Sequence, residues 1–516
     1  MNITYGLRRA LELNPGGHAT TFRGRHRSWA EVGDRVRRLA SGLCALGVEP
    51  GGRVAILALN SDFYLEAYLA IAWAGAVCAP LNVRWSAREI ADALVDCSPR
   101  VLLADTAFAA LASELGQGRP DLHLVYADDG AAPAGMEHVE ALIERSSAMP
   151  DAMRSSEDLA GIFYTGGTTG RSKGVMLSHK NVTTNALNSL SEGIWSPSMR
   201  YMHAAPMFHL ANGMGMFAAL LQGGSNVIVQ GFAPELVLAA IAGERVTDTL
   251  LVPTMIQMLV DHPARAQYDL TSLRHVIYGA SPMNAAVLAR AITAMPGTDF
   301  IQAYGMTELS PCATILHWGE HSGEGQAKGR DRGAGRAVIG CEVRVVDLDR
   351  NPVPPGTVGE VAVRGDTVML GYWERPEETA RAVVDGWMHT GDGGFLDADG
   401  FLTVVDRIKD MIITGGENVY SVEVENAIAQ HPAVAQCAVI GIPSERWGEQ
   451  VHAVVVPRPD AAPTAEEVIA FCRTLLGGFK CPRSVDIRDR PLPLSGAGKV
   501  LKRDLRAPFW EAKTNT

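Results

Sequence analysis

The 516-residue sequence predicts an α/β fold: a large N-terminal domain of layered α/β subdomains plus a β-barrel-like subdomain, and a small α+β C-terminal domain. Three observations carry this. Helical periodicity alternates with short β-rich runs through the first part of the chain, as in layers built on largely parallel strands. Near Val338 the character changes to closely spaced strands separated by Pro/Gly turns. After Asp406 strand and helix alternate again over about a hundred residues, a size typical of a small domain. A chain this long also exceeds the length at which one core keeps growing.

Taken in order, apolar residues recur at helical spacing from Trp29 to Leu46, and Leu159 to Phe163 reads as a strand. Val54-Ala55-Ile56-Leu57, Val101-Leu102-Leu103-Ala104 and Asn226-Val227-Ile228-Val229 are short apolar runs of buried strands. The apolar run Ala67 to Leu81, broken by Gly75 and Pro80, falls short of the roughly 18 residues a membrane span needs and reads as a buried helix leading into a strand. Val343 to Val346 and Val358 to Val363 are strands divided by turns at Asn351-Pro352 and Pro354-Pro355-Gly356. In the last part, Gln436 to Gly441 and Val451 to Val456 are strands and Ala465 to Leu476 a helix.

Apolar residues make up 47% and charged residues 20%, and the formal charge is −11. An acidic chain of this kind is not held to nucleic acid or anionic lipid by net charge; the clusters Arg23 to Arg27 and Arg35 to Arg38 read as a turn and a solvated helix face. The eight cysteines show no C-x-x-C pair and no histidine at metal spacing, so free thiols in a reducing compartment and no structural metal are expected. The first residues lack the charged start and apolar core of a secretory signal. A soluble, cytoplasmic protein without an integral membrane segment is the expectation.

The stretch with most chemistry in it runs from Tyr164 to Gly174 (YTGGTTGRSKG). Its glycines allow close backbone approach, and its N–H groups, threonine hydroxyls and Lys173 ammonium can converge on anionic oxygens. The G-x-x-x-x-G-K-[ST] spacing of nucleotide hydrolases does not match, because Lys173 follows Ser172 and precedes Gly174.

Five further motifs follow in order: Tyr304-Gly305-Met306-Thr307-Glu308; Gly359-Glu360-Val361 with Gly371-Tyr372-Trp373; Trp387-Met388-His389-Thr390-Gly391-Asp392; Asp406-Arg407-Ile408-Lys409-Asp410; and Ser495-Gly496-Ala497-Gly498-Lys499. Together the six motifs resemble the adenylate-forming (AMP-binding) superfamily in its acyl-CoA synthetase and aryl-CoA ligase branch, over essentially the whole chain. The resemblance implies an AMP-binding domain over 1–406, a hinge at 407–410 pivoting on Lys409, and a small mobile lid over 411–516. It implies ATP, Mg²⁺ and the co-substrate coenzyme A, with a homodimer compatible.

It also implies roles. Thr165, Gly166, Gly167, Thr168, Thr169, Gly170 and Lys173 wrap the phosphates. Gly279, Ala280, Ser281, Gly305 and Met306 belong to the ATP site, with Tyr304 against the adenine ring, and Thr307 contacts the α-phosphate. Glu308 holds magnesium, while Asp392 and Arg407 take the ribose. Lys499 bridges the substrate carboxylate and the α-phosphate; with Thr165, Thr307, Glu308 and His209 it makes up the expected catalytic set. His209, Leu210, Gly213, Met214, Tyr278, Gly279, Ala303 and Cys312 line the acyl pocket. Gly415, Gly416 and Glu417 shape the coenzyme A tunnel. Ala303 stands where aryl-CoA ligases often have glycine, and Ile413 where luciferases carry lysine.

The expected walls are apolar and offer no arginine for a second carboxylate, so the predicted reaction is ATP-dependent ligation of a medium-sized apolar monocarboxylate, fatty or aromatic, to coenzyme A. Two alternatives remain open: delivery of the acyl group to a carrier protein, and a non-catalytic adenylate-binding protein. Lys499→Ala is expected to slow acyl-AMP formation by roughly 10²–10³-fold, by analogy with loss of an oxyanion donor, while conversion of supplied acyl-AMP and coenzyme A to thioester persists. Pyrophosphate release and thioester formation, assayed separately, check this; equal loss of both steps would refute the role.

Overall fold

The computed structural model describes residues 1–165, 172–281, 283–459, 461–494 and 500–514. Gly166, Gly167, Thr168, Thr169, Gly170 and Lys499, all expected site residues, lie outside the described residues.

Two large mixed sheets form the body. One has eight strands, in the order Gly371–Tyr372, Lys173–Ser178, Leu159–Thr165, Val77–Pro80, Arg53–Leu57, Val101–Ala104, His123–Tyr126, Glu137–His138. From Leu159–Thr165 onward its pairings are parallel; the hairpin of Leu159–Thr165 with Lys173–Ser178 is antiparallel. The other sheet has nine strands, with the parallel set Ser225–Ile228, Arg200–His203, Asp248–Leu251, His275–Gly279 and Asp299–Tyr304 at its centre and antiparallel pairs at both edges. The expected alternation of helix with parallel strand is thus present. Helix Trp29–Ala45 starts on a capping box in which Ser28 and Glu31 satisfy each other's backbone N–H groups. The apolar run splits as its glycine requires: all twelve residues of helix Asp62–Trp73 are buried, Gly75 turns the chain at φ +75°, and strand Val77–Pro80 follows.

The β-rich subdomain is a five-stranded antiparallel sheet of Cys341–Val346, Gly359–Gly365, Trp387–Leu396, Val383–Val384 and Leu402–Arg407. Register shifts at Glu360/Ala362 and Gly393/Gly394 bend it. The last part builds a separate sheet from Ile412–Thr414, Glu417–Val419, Val434–Ser444, Gly448–Pro457 and Ser484–Ile487, flanked by helices Ser421–Ile428, Ala465–Leu475 and Lys502–Thr514. It has its own buried core around Ile412, Val439, Val455 and Val468.

The arginine clusters depart from expectation. Arg27 and Arg35 side chains are only 10% and 15% exposed. Arg25 grips Asp62 with two bonds of 2.8 and 3.0 Å, and Arg27 pairs with the same carboxylate. Arg35 joins Glu66 at 2.8 Å and Glu140 through two bonds of 2.7 Å. Asp62 and Glu66 are completely buried, and all three guanidiniums lie 5.3–5.6 Å from the Phe63 ring. The arginines read as solvated because their acidic partners stand far along the chain, on helices Asp62–Trp73 and Val139–Arg145. The network ties the edge hairpin of the nine-stranded sheet to helices of the other layer. Removing one partner of a buried pair leaves the other uncompensated, at about 3–5 kcal/mol; Asp62→Ala is therefore expected to lower the urea midpoint by the equivalent amount, read by fluorescence or circular dichroism.

Candidate active site

The parallel strands of the nine-stranded sheet end in two turns that adjoin. Strand His275–Gly279 runs into Ala280-Ser281, and strand Asp299–Tyr304 runs into Gly305-Met306 and the 3₁₀ turn Thr307–Leu309. This is the carboxyl edge where α/β sheets bind ligands. Both turns need glycine for a steric reason: a Cβ on Gly279 would lie 2.2 Å from the Ala303 carbonyl oxygen, and one on Gly305 would lie 2.0 Å from that of Pro311. Ala280 itself is held at φ +65°, a conformation unfavourable for a side-chain-bearing residue.

The Tyr304 hydroxyl donates to Asp392 Oδ2 at 2.8 Å. Asp392 lies opposite Arg407 across the antiparallel pair, with Arg407 Nε 3.8 Å from Oδ1. Burial first, and then the Asp392 charge, push the Tyr304 phenol well up, so it stays a donor. The turn before Asp392 is fixed by Thr390, which donates to the Val361 carbonyl at 2.8 Å and accepts the Asp392 N–H at 3.1 Å, and by Glu360, which binds His389 and the Gly391 N–H.

A second line of groups meets Glu308. Thr165 and Lys173 face each other across the hairpin whose connecting loop lies outside the described residues. The Lys173 ammonium sits 4.9 Å from the Tyr372 ring centre and pairs with Glu378. The Tyr372 hydroxyl in turn donates to Glu308 Oε1 at 2.9 Å. Glu308 is 5% exposed, and its backbone carbonyl accepts the Met369 N–H. Among the described residues no group of three or more metal-ligating side chains occurs; one hard carboxylate beside phosphate-binding groups is a donor set that fits Mg²⁺, which binds through one or two carboxylates plus substrate phosphates.

The segment 206–214 forms the start of helix Leu210–Gln222. His209 is its N-cap, with Nδ1 accepting the Ala211 N–H at 3.1 Å. That bond uses the Nδ1 lone pair, leaving Nε2 as the N–H that a pocket could meet. A general-base role for His209 is thereby disfavoured. Leu210, Met214 and Cys312 are buried in one core with Ile277 and Ile301, and Ala303 packs against it. Gly213 lies with Leu210 and Phe217 around its missing side chain. Tyr278 does not join them. Successive strand residues face opposite sides, so while Ile277 faces that core, Tyr278 is buried with Val276 beneath helices 234–244, 253–260 and 285–294, its hydroxyl 3.3 Å from His321 Nε2.

Several positioning side chains were missed in the sequence. Asn60 donates to the carbonyls of His203, Ala205 and Val229 and accepts the Met207 N–H at 2.7 Å. Asn185 holds the carbonyls of Leu309 and Cys312. His203 bridges Asn212 and Asn226, with burial pushing its pKa down to about 4. Asn60 and Asn185 act across 124 residues or more, where local pattern carries no signal, and His203 across 9 and 23.

Gly415 and Gly416, at φ +62° and +87°, make the two-residue turn of the hairpin Ile412–Thr414/Glu417–Val419, the left-handed pair that such turns require. No side chain or backbone lies within 4 Å of where a Gly416 Cβ would be, and the Trp447 ring lies against Gly415. Arg446 and Arg483 stand 4.6 and 6.0 Å from that ring, giving the hairpin a cationic, aromatic flank. Lys409 is surface-exposed, yet its ammonium pKa is lowered, chiefly by desolvation and then by Arg407, with Lys173 adding to it.

Residues 7–373 match the model of the AMP-binding enzyme family, and residues 423–499 that of the AMP-binding enzyme C-terminal domain. The chain belongs to the AMP-binding enzyme family. It is 41% identical over 514 residues to a feruloyl-CoA synthase of Amycolatopsis sp, covering 98% of each chain. It is 36% identical over 509 residues to the indoleacetate–CoA ligase of Aromatoleum aromaticum, again covering 98% of each. The structure of the anthranilate CoA ligase AuaEII in complex with anthranoyl-AMP superposes with a TM-score of 0.91 at 27% identity, over 100% of this chain and 98% of that one. The relatives of this AMP-binding enzyme are thus acyl- and aryl-CoA ligases of the adenylate-forming superfamily. Gly279→Ala is expected to force the two turns apart at about 1–3 kcal/mol of overpacking; ATP affinity, followed by titration calorimetry, should fall at least about tenfold with the far-ultraviolet spectrum unchanged.

Proposed function

We propose that this AMP-binding enzyme ligates an aromatic monocarboxylic acid of the arylalkenoate or arylacetate kind to coenzyme A, through an acyl-adenylate and at the cost of ATP. That it is an acid–thiol ligase acting on an apolar carboxylic acid follows from its family and its full-length relatives; the aromatic choice rests on the two aryl-acid ligases among them and on the apolar walls contributed by Leu210, Met214 and Cys312. The observation that carries the reading is the meeting of two lines of groups at one strand edge: Lys173–Tyr372–Glu308, suited to phosphate, and Tyr304–Asp392–Arg407, suited to a nucleoside.

In the first step a substrate carboxylate oxygen attacks the α-phosphorus of ATP and the bond to pyrophosphate breaks. Lys173 and the N–H groups of the loop it closes balance the phosphate charge, Thr307 faces the α-phosphate, and Asp392 accepts from the ribose hydroxyls with Tyr304 against the adenine. Mg²⁺ held by Glu308 would neutralise further phosphate charge. In the second step the coenzyme A thiolate attacks the acyl carbonyl and AMP leaves. These steps need different surroundings, which a lid over 411–516 turning on a hinge at 407–410 would provide; the two family matches end and begin on either side of that hinge. Eight unpaired thiols suit a reducing, cytoplasmic setting.

The test is AMP release, with and without coenzyme A, across ferulate and other hydroxycinnamates, indoleacetate, benzoate, octanoate and malonate. Coenzyme A-dependent turnover highest on an aryl acid is expected. Preference for octanoate would overturn the aromatic assignment, and acid-dependent pyrophosphate without thioester would point to a carrier-protein acceptor.

A further inference from the structure

Four charged or polar side chains not used above form a buried chain across the hinge. Asp406 ends its run on strand Leu402–Arg407, on the body side, and is 6% exposed. Its Oδ2 accepts both the backbone N–H of Ser421 and the Ser421 hydroxyl at 2.6 Å, while Oδ1 accepts the Arg407 N–H at 2.7 Å. Ser421 is the first residue of helix Ser421–Ile428, on the lid side, where Tyr420 supplies no side-chain cap. An aspartate from across the hinge therefore does what a helix would ordinarily obtain from its own N-cap. The Ser421 hydroxyl in turn accepts from Lys502 Nζ, which pairs with Glu425 at 2.7 Å. Glu425 also accepts the Val439 N–H at 2.8 Å, so the chain ends in the lid's own sheet.

Lys502 is the third residue after Lys499 and the first of helix Lys502–Thr514. Its side chain is 14% exposed. Although desolvation alone would lower its pKa, the Glu425 and Asp406 charges hold it above the usual lysine value. The same helix reaches the pivot again through Arg506, which donates to the Lys409 carbonyl at 3.2 Å and lies 3.7 Å from the Asp410 carboxylate. Among the described residues, nothing outside the adjoining chain lies within 4 Å of where a Gly416 Cβ would stand.

We infer that Asp406, Ser421 and Lys502 form a latch that holds the lid in the arrangement seen here. The inference rests on the two-step reading above. Its physical logic is connectivity. Asp406 and Ser421 stand on opposite sides of Lys409, so any large turn at Lys409 parts them and strips the helix of its cap. Lys502, Ser421 and Glu425 move together as one body. Breaking the Asp406–Ser421 contact thus releases the lid, and Lys502 and Glu425 act by holding the Ser421 hydroxyl in place for it. The latch opposes any step that requires the lid to turn at Lys409, as approach of the Gly415-Gly416 hairpin would.

The test uses the full chain in two variants, Asp406→Asn and the double change Lys502→Met with Glu425→Gln, which removes both charges of the Lys502–Glu425 pair. Two readouts are taken, with thermal melting followed to confirm a folded lid. The first is the rate of tryptic cleavage after Arg407 or Lys409 without any substrate. The second is the ratio of acyl-AMP formation to thioester formation from supplied acyl-AMP and coenzyme A. Loss of a charge-assisted hydrogen bond should raise hinge cleavage and lower the ratio, each by about tenfold, with thioester formation equal to or faster than wild type. Unchanged cleavage in both folded variants, or an equal fall of both half-reactions, would overturn the latch. A wild-type protein that makes no acyl-AMP would count against the proposed function instead, and hinge cleavage alone would then judge the latch.

Discussion

Two sheets that share no hydrogen-bonded strand must be held in register if their edges are to make one cleft, and a buried amide does much of this. Asn60 leaves the eight-stranded layer just after strand Arg53–Leu57 and spends its whole side chain on the other layer, bonding three carbonyls and one N–H of the segments around 203–207 and 229. Its backbone N–H adds a bond to the Gln230 carbonyl. A buried amide is satisfied only when every partner is in place, so this contact accepts one relative position of the layers. The start of helix Leu210–Gln222 inherits that position.

Charge is used in the same way. Asp62 and Glu66 would be prohibitive in an apolar helix on their own; with three arginines around them they admit one arrangement of hairpin and helices. Replacing such networks by apolar residues can be neutral or stabilising in other proteins, so their value here is geometric: they exclude alternative packings of an edge hairpin that has few apolar contacts of its own. Around the nucleotide-facing residues the principle continues on a smaller scale, with Glu360 and Thr390 fixing the turn that presents Asp392.

Much of this was readable in the chain because it is local. The capping box at Ser28, the split of the apolar run at Gly75 and the Gly415-Gly416 turn follow from residues within a few positions of one another. The Y-G-M-T-E and phosphate-loop motifs also keep their chemistry contiguous, which is why family resemblance located them. What was missed is non-local. Arg27 and Arg35 looked solvated because their carboxylates are 31 to 105 residues away on two helices; Tyr278 looked like a pocket wall because its neighbour is Gly279, although strand alternation sends its ring to the other side. Asn60 and Asn185 act at separations of 124 residues or more, beyond any periodic or motif signal.

The pairing of Lys173 with Glu378 has a consequence for how an anion enters. Lys173 already has a carboxylate beside it and an aromatic face beneath it. Under the proposed function, a polyphosphate arriving there would exchange one anion for another, its attraction to the ammonium offset by parting Lys173 from Glu378. Salt screens the lysine–carboxylate attraction as well as the lysine–phosphate attraction. On that reading ionic strength acts less on this lysine's share of nucleotide affinity than on that of a lysine with no prior partner, and inorganic anions gain less by entering.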